Sequence, residues 1–325
     1  MSTTPDTSLR RGDVIEIQGA SGSGKTQLLY FIVLTTLLPF DLPLEYRPRV
    51  SSTKPAQTAF KVQNLLIGGR GKSVILCDCD SRWSLSRLHS MIVCYLQGRL
   101  KQGPFNISNA STYELRPSLE QFAENLLRYL HIFRPASTIA LAATLRCLPS
   151  YHTRNMRDED IFMLIIDPIN PLYWHDRWTV EAADANQPRP VARPPLQAAI
   201  SALHNLISVY KPITLLTNHA LMPLAQTSTF YKQHLPPPYP SPFDANTHTR
   251  PKSSTLSLTH HITLPLHRMA TYLPTMTFEA ACADTERREM VEKWDIIGFL
   301  RTPGKSLETK VGRFHFGIGA SGLRT

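Results

Sequence analysis

The sequence predicts an α/β fold: a mostly parallel sheet with helices on both faces and antiparallel strands added near the C-terminus. Three observations predict it. A glycine-rich turn, Gly19-Ala20-Ser21-Gly22-Ser23-Gly24-Lys25-Thr26, stands between a strand-like apolar run and a helix-like one. Two further apolar runs, 73–80 and 161–167, close on aspartates, as buried parallel strands do when they bring a carboxylate to one edge of a sheet. Three late strand-like stretches follow at 258–266, 294–301 and 312–318.

The turn fits the phosphate-binding pattern G-x-x-x-x-G-K-[ST] at every fixed position. Its glycines let consecutive backbone N–H groups converge on one anion-sized hollow, and the helix behind adds the positive end of its dipole. Gly19, Ser21, Gly22, Ser23, Gly24, Lys25, Thr26 and Gln27 are therefore the nucleotide-binding candidates. Lys25 suits the β and γ phosphates, and the Thr26 hydroxyl suits Mg²⁺. The run Ile161-Phe162-Met163-Leu164-Ile165-Ile166-Asp167 reads as a Walker B strand, making Asp167 the second Mg²⁺ residue.

Taken in order, residues 1–11 read as a flexible tail and residues 12–325 as a single domain. The first helix stops before Pro39, and 39–71 reads as an extended connection or insertion with one periodic piece near 60–66. Residues 83–100 carry a helical stripe, Leu85, Leu88, Ile92 and Leu96, which 119–129 repeats more weakly. A short strand at 130–133 and a helix at 136–148 lead into the Walker B strand. Residues 168–195 read as a polar, proline-broken loop. Leu196, Ala199, Ile200, Leu203, Leu206, Ile207 and Tyr210 then form the stripe of a core helix. The strand 213–219 ends in Thr217-Asn218-His219, 223–256 reads as a long mobile insertion, and 284–293 as a solvated charged segment.

Composition narrows the classes. Charged residues make up 18% of the chain, below the roughly 25% of average domains, and hydrophobic residues 42%, so this is no disordered polyelectrolyte. The net charge of +10 suits either polyanionic partners or a basic soluble enzyme. The five cysteines form no C-x-x-C pair and no zinc spacing, which reads as reduced intracellular thiols. No apolar run reaches membrane-spanning length.

The order of features is a phosphate loop near the start, a strand ending Asp-x-Asp, a Walker B strand, a strand ending Thr-Asn, and trailing hairpin strands. That order resembles the RecA-type recombinase core, a P-loop NTPase fold. The run Asp167-Pro168-Ile169-Asn170-Pro171-Leu172-Tyr173-Trp174-His175-Asp176-Arg177 is similar to the stretch after Walker B in eukaryotic recombinase paralogues, which carry a Tyr-Trp-x-Asp-Arg run there. Residues 11–19 and the ending 314–322 are similar to that family too. The resemblance implies ATP and Mg²⁺ as cofactors, homologous-recombination DNA repair as the process and the nucleus as the location. It also implies sister recombinase paralogues as partners, on single-stranded or branched DNA.

Two departures bear on catalysis. Where active family members have a water-activating glutamate this chain has Asp80, one methylene shorter, and where they have a γ-phosphate-sensing glutamine it has His219. The resemblance therefore implies a nucleotide that is bound and hydrolysed slowly or not at all, since misplacement by about 1 Å can cost about 10²-fold. Only eleven residues precede the core, and the Phe-x-x-Ala matches at 133–136 and 278–281 lie in the wrong place for a docking linker, so a self-filament is not expected. For DNA, the resemblance points to the loops at 168–195 and 220–256. The first holds Arg177, Arg189 and Arg193 beside Tyr173, Trp174 and Trp178, a pattern that suits backbone tracking and base stacking. Packed tryptophans and solvated arginines fit the same residues equally well. The alternative to a non-catalytic paralogue is a DNA-stimulated ATPase in which Asp80 and His219 suffice. A small-molecule kinase is disfavoured, because no compact arginine cluster follows the strands.

Overall fold

The computed structural model describes residues 9–48, 60–102, 113–184, 195–223, 230–242, 256–266, 275–285, 295–302, 311–319 and 322–324. Its centre is a nine-stranded sheet in the order β12-β11-β10-β9-β1-β8-β7-β4-β6. The middle strands are β1 (Val14–Gly19), β4 (Val74–Asp78), β7 (Met163–Asp167) and β8 (Ile213–His219), with β6 (Leu130–Phe133) and β9 (His260–Leu264) outside them. All five pairings among these six are parallel. Then β10 (Asp295–Arg301), β11 (Gly312–Gly319) and β12 (Gly322–Arg324) extend the β9 side antiparallel.

Successive residues of the central strands alternate between two cores, as strand geometry requires. Ile15, Ile17, Leu76, Ile165 and Leu215 face α1 (Lys25–Leu37), α2 (Leu85–Gln102) and α3 (Leu119–Leu126). Val14, Ile75, Leu164, Ile166 and Leu216 face α4 (Thr138–Asn155), α5 (Asn170–Asp184) and α6 (Pro195–Tyr210). With both faces covered, the strands read as continuous apolar runs. The core-helix reading of α6 holds: Leu196, Ala199, Ile200, Leu203 and Leu206 are buried.

Four sequence expectations need correction. The stretch 168–195 is not a loop throughout, because Asn170–Asp184 is helical. Its proline, Pro171, lies in the first helical turn, where a missing N–H costs nothing, and Leu172 is buried. The stretch 39–71 is not a mere connection. It supplies β2 (Asp41–Pro48) and β3 (Lys61–Leu66), which form a separate antiparallel sheet with β5 (Tyr113–Arg116). Leu42, Leu44 and Leu65 of that sheet reach the first core. Within 223–256, residues 230–242 form a strap packed on the second face, with Leu235 and Tyr239 buried. The remaining two pieces, 224–229 and 243–255, lie outside the described residues. Finally, β9 pairs parallel with β1, so the antiparallel extension begins one strand later than the sequence suggests.

Candidate nucleotide site

The loop joining β1 to α1 opens at the C-terminal edge of the parallel strands, where open α/β sheets bind ligands. Gly22 and Gly24 have φ of 78° and 89°, the left-handed region that suits glycine. A Cβ on Gly24 would also come within 2.7 Å of Ile296 Cδ1, because the β10–β11 hairpin packs against the loop. Helix α1 starts without a side-chain cap or an acidic residue in its first turn, so its N–H groups face the cleft without a side-chain acceptor supplied there. The cleft is lined by residues 21–27 together with Asp80, Arg82, Asp167, Pro168, His219 and Ile318. Most of the nucleotide, metal and catalytic candidates are thus brought to one place, and Gly19 supports them from beneath. A Cβ on Gly19 would come within 2.5 Å of the Leu264 carbonyl.

The metal candidates meet directly. Thr26 Oγ1 donates to Asp167 Oδ2 at 3.1 Å, across 141 residues of sequence. Asp167 also accepts from Trp83 Nε1 at 2.8 Å, on the same oxygen, and from the Thr217 hydroxyl on the other. Burial raises the Asp167 pKa, against the lowering effect of these donors and of Lys25. The Lys25 ammonium donates to the carbonyls of Gly19 and Ala20 at 2.7 and 2.8 Å. Burial brings its pKa down to about 8, partly offset by Asp167.

The donor set fits a nucleotide phosphate with Mg²⁺. Ser23 Oγ is buried against Gly19 and has no hydrogen-bond partner, an unsatisfied donor within the loop. Lys25, desolvated, gains from an anionic neighbour. Among the described residues no cluster of three His, Cys, Asp or Glu side chains would hold a metal by itself. Thr26 and Asp167 therefore suit a cation that arrives with phosphate oxygens, as Mg²⁺ does.

The two catalytic candidates stand at the rim. Asp80 lies two residues beyond the end of β4 and is held by Arg82 Nε at 3.3 Å. Burial and the nearby Asp167 raise its pKa. The His219 backbone N–H donates to Asn170 Oδ1 at 3.1 Å. Its imidazole pKa is pushed down to about 4 by burial first, then by Lys25, Arg82 and His234, so it is neutral at pH 7.

Of the DNA candidates, Arg177 is exposed on α5 with its guanidinium 5.5 Å from the Trp174 ring centroid. Arg189 and Arg193 lie outside the described residues. Trp178 is 74% exposed, whereas Trp174 stacks on His234 of the strap at 5.8 Å. The packed reading therefore fits Trp174 and fails for Trp178.

Three contributors were given no role from sequence. Thr217 sat in plain view at the end of a strand. Asp78 was read only as the first carboxylate of the Asp-x-Asp strand, and Trp83 carried no signal beyond following that strand. Asp78 accepts from the backbone N–H groups of Arg82 and Trp83 at 3.1 and 3.4 Å and pairs with Arg134 at 3.3 Å, so it folds the loop that presents Asp80.

No family model matches the chain. It is 26% identical over 250 residues to a protein of Arabidopsis thaliana named DNA repair protein XRCC2 homolog. The chain is similar to an XRCC2-type RecA paralogue. That match takes in 70% of this chain and 57% of the relative, so the chain spans little more than half of the relative's length. The parallel sheet, the helices on both faces and the antiparallel C-terminal strands form a RecA-like core.

Proposed function

We propose that the chain binds ATP with Mg²⁺ and acts in homologous-recombination DNA repair as a nuclear subunit of a recombinase paralogue complex, assisting recombinase on single-stranded DNA. The observation that carries the nucleotide reading is the Thr26–Asp167 contact, set beside Lys25 at the start of α1. Gly22 and Gly24 shape the loop, Ser23 lines it, Lys25 serves the phosphates, and Thr26 with Asp167 holds the cation. When bound, Mg²⁺ neutralises charge on the β and γ oxygens. The relative's name, a DNA repair protein, supports the process, and the net charge of +10 suits a nucleic-acid partner. Among the described residues no helix is long and apolar enough to cross a membrane.

Turnover in this reading is slow or absent. Asp80 is short and engaged by Arg82, and His219 is a neutral imidazole where the resemblance expects an amide. ATP then acts by stabilising the fold or an interface. A second reading, a DNA-stimulated ATPase, is favoured by Asp80 lining the cleft with a raised pKa. Calorimetric titration with ATP and Mg²⁺, and turnover with and without single-stranded DNA, separate the two beside a Lys25→Ala control. Binding lost in Lys25→Ala, without Lys25-dependent turnover, is the expected result. DNA-stimulated turnover abolished by Lys25→Ala would establish the enzyme instead.

A further inference from the structure

Trp83 touches both halves of the site. Its ring is 5% exposed and lies 4.1 Å from the Tyr30 ring of α1, tilted by 37°. Its indole N–H donates at 2.8 Å to Asp167 Oδ2, the oxygen that also accepts from Thr26. A carboxylate oxygen offers about two lone pairs, so these two donors fix where Oδ2 points. The Trp83 backbone is held as well. Asp78 accepts its N–H, and the next residue, Ser84, donates its N–H to the Tyr30 hydroxyl at 2.7 Å. Between these anchors and β4 runs the short loop carrying Asp80 and Arg82, with Ser81 at a φ of 57°. A non-glycine residue in that region is uncommon and persists where its surroundings hold it.

We infer that Trp83 is a positioning residue: it aims the Asp167 carboxylate at the cation and ties the Asp80–Arg82 loop to that carboxylate. The inference rests on the nucleotide reading of the cleft. It turns on the N–H: a phenyl ring keeps an aromatic face against Tyr30 and cannot make the bond, and affinity measured without Mg²⁺ controls for its smaller volume.

Trp83→Phe on the full chain makes that separation. ADP affinity is measured by calorimetry once with Mg²⁺ and once with EDTA. The ratio of the two affinities falls about tenfold in the variant, the equilibrium equivalent of one hydrogen bond to a charged group, while affinity in EDTA stays within about twofold. An unchanged ratio overturns the inference and leaves the nucleotide site standing. A second readout needs no nucleotide. Asp167→Asn shifts the tryptophan emission of the free protein, and the shift disappears when Asp167→Asn is made in the Trp83→Phe background. A shift that persists there overturns the inference. Failure of the unaltered chain to bind ADP would sink the nucleotide reading, and the emission experiment would still decide whether Trp83 senses Asp167.

Discussion

Asp167 and Glu16 are carboxylates buried in one sheet and fed by neighbouring residues of one strand, yet only Asp167 opens on a cleft. Thr217 of β8 points to one face and donates to Asp167, while Asn218 points to the other and donates to Glu16 Oε1 at 3.0 Å. Glu16 lies mid-strand. The strap closes over it, with Gln233 Nε2 and the Tyr239 hydroxyl donating at 3.0 and 2.9 Å. His261 of β9 approaches its other oxygen at 3.5 Å. Burial raises the Glu16 pKa, and the same three donors lower it. Asp167, at the strand end, shares its oxygens with Thr26 and stands near Lys25, whose desolvation invites a phosphate. The difference teaches where to look for function. A buried carboxylate sealed by its own chain serves architecture, and one that shares a hydroxyl and stands near a cation at an open edge is the candidate for a ligand.

The largest expected effect is on the sealed side. Glu16→Ala strands three donors at once, and breaking such a network costs about 3–5 kcal/mol. Chemical denaturation reads that loss, while Mg²⁺–ATP affinity at 25 °C stays within about threefold as long as the chain is folded. Asp167→Asn does the reverse. Mg²⁺–ATP affinity drops by about 10²-fold, near 2.8 kcal/mol, with the thermal midpoint moved by less than about 4 °C. Should the two variants exchange phenotypes, the division between architecture and ligand site fails.

That division explains what the sequence could disclose. The meeting of the glycine-rich turn, Lys25, Thr26 and Asp167 at one sheet edge was legible, because a strand before and a helix after the turn, and an apolar strand closing on Asp167, place them there. Buried strands and the α6 stripe were legible from periodicity. The strap was not, because prolines 236–238 and 240 read as solvated loop while Leu235 just before them and Tyr239 among them are the residues that dock. Helix α5 was masked in the same way by Pro171. Glu16 did carry a signal: a charge between Ile15 and Ile17 in a buried strand must find partners. Which residues supply them, 202 to 245 positions downstream by the contacts of Asn218 and His261, follows only from the fold. Trp83 is one aromatic among 28 in the chain, and only the geometry singles it out.

The pH response sharpens the comparison from the β9 side. Burial and the Arg301 charge hold the folded His261 pKa at about 3, whereas an unfolded imidazole titrates near 6.5. Below 6.5 the unfolded chain binds the extra proton, so this stabilising contribution is present above that pH and is lost as pH falls toward 3. The loss is about 1 kcal/mol over the first pH unit. Glu16 works in the opposite direction, since its raised pKa makes the folded state bind a proton first as pH falls. Denaturation curves of the unaltered chain and of His261→Gln, compared at each pH, cancel the Glu16 contribution as long as that group keeps its other partners. A pH-independent difference between them would mean that His261 is not held neutral.

Tyr239→Phe is the smallest change and the sharpest test of how the strap is held. It removes one of three donors to Glu16 Oε1 and keeps the ring, which is buried in the second core. Two donors remain on that oxygen, so no acceptor is stranded, and the cost is that of one replaceable hydrogen bond, about 0.5–1 kcal/mol. Hydrogen exchange locates the effect: the N–H groups of Lys232, Leu235 and Tyr239, bonded to Met222 O, Gln233 Oε1 and Pro236 O, lose protection. Those of β7 and β8 keep theirs, because their bonds run within the sheet. Uniform loss across strap and sheet would show that the strap unfolds only with the whole domain, and the Glu16 cluster would then be core rather than clasp.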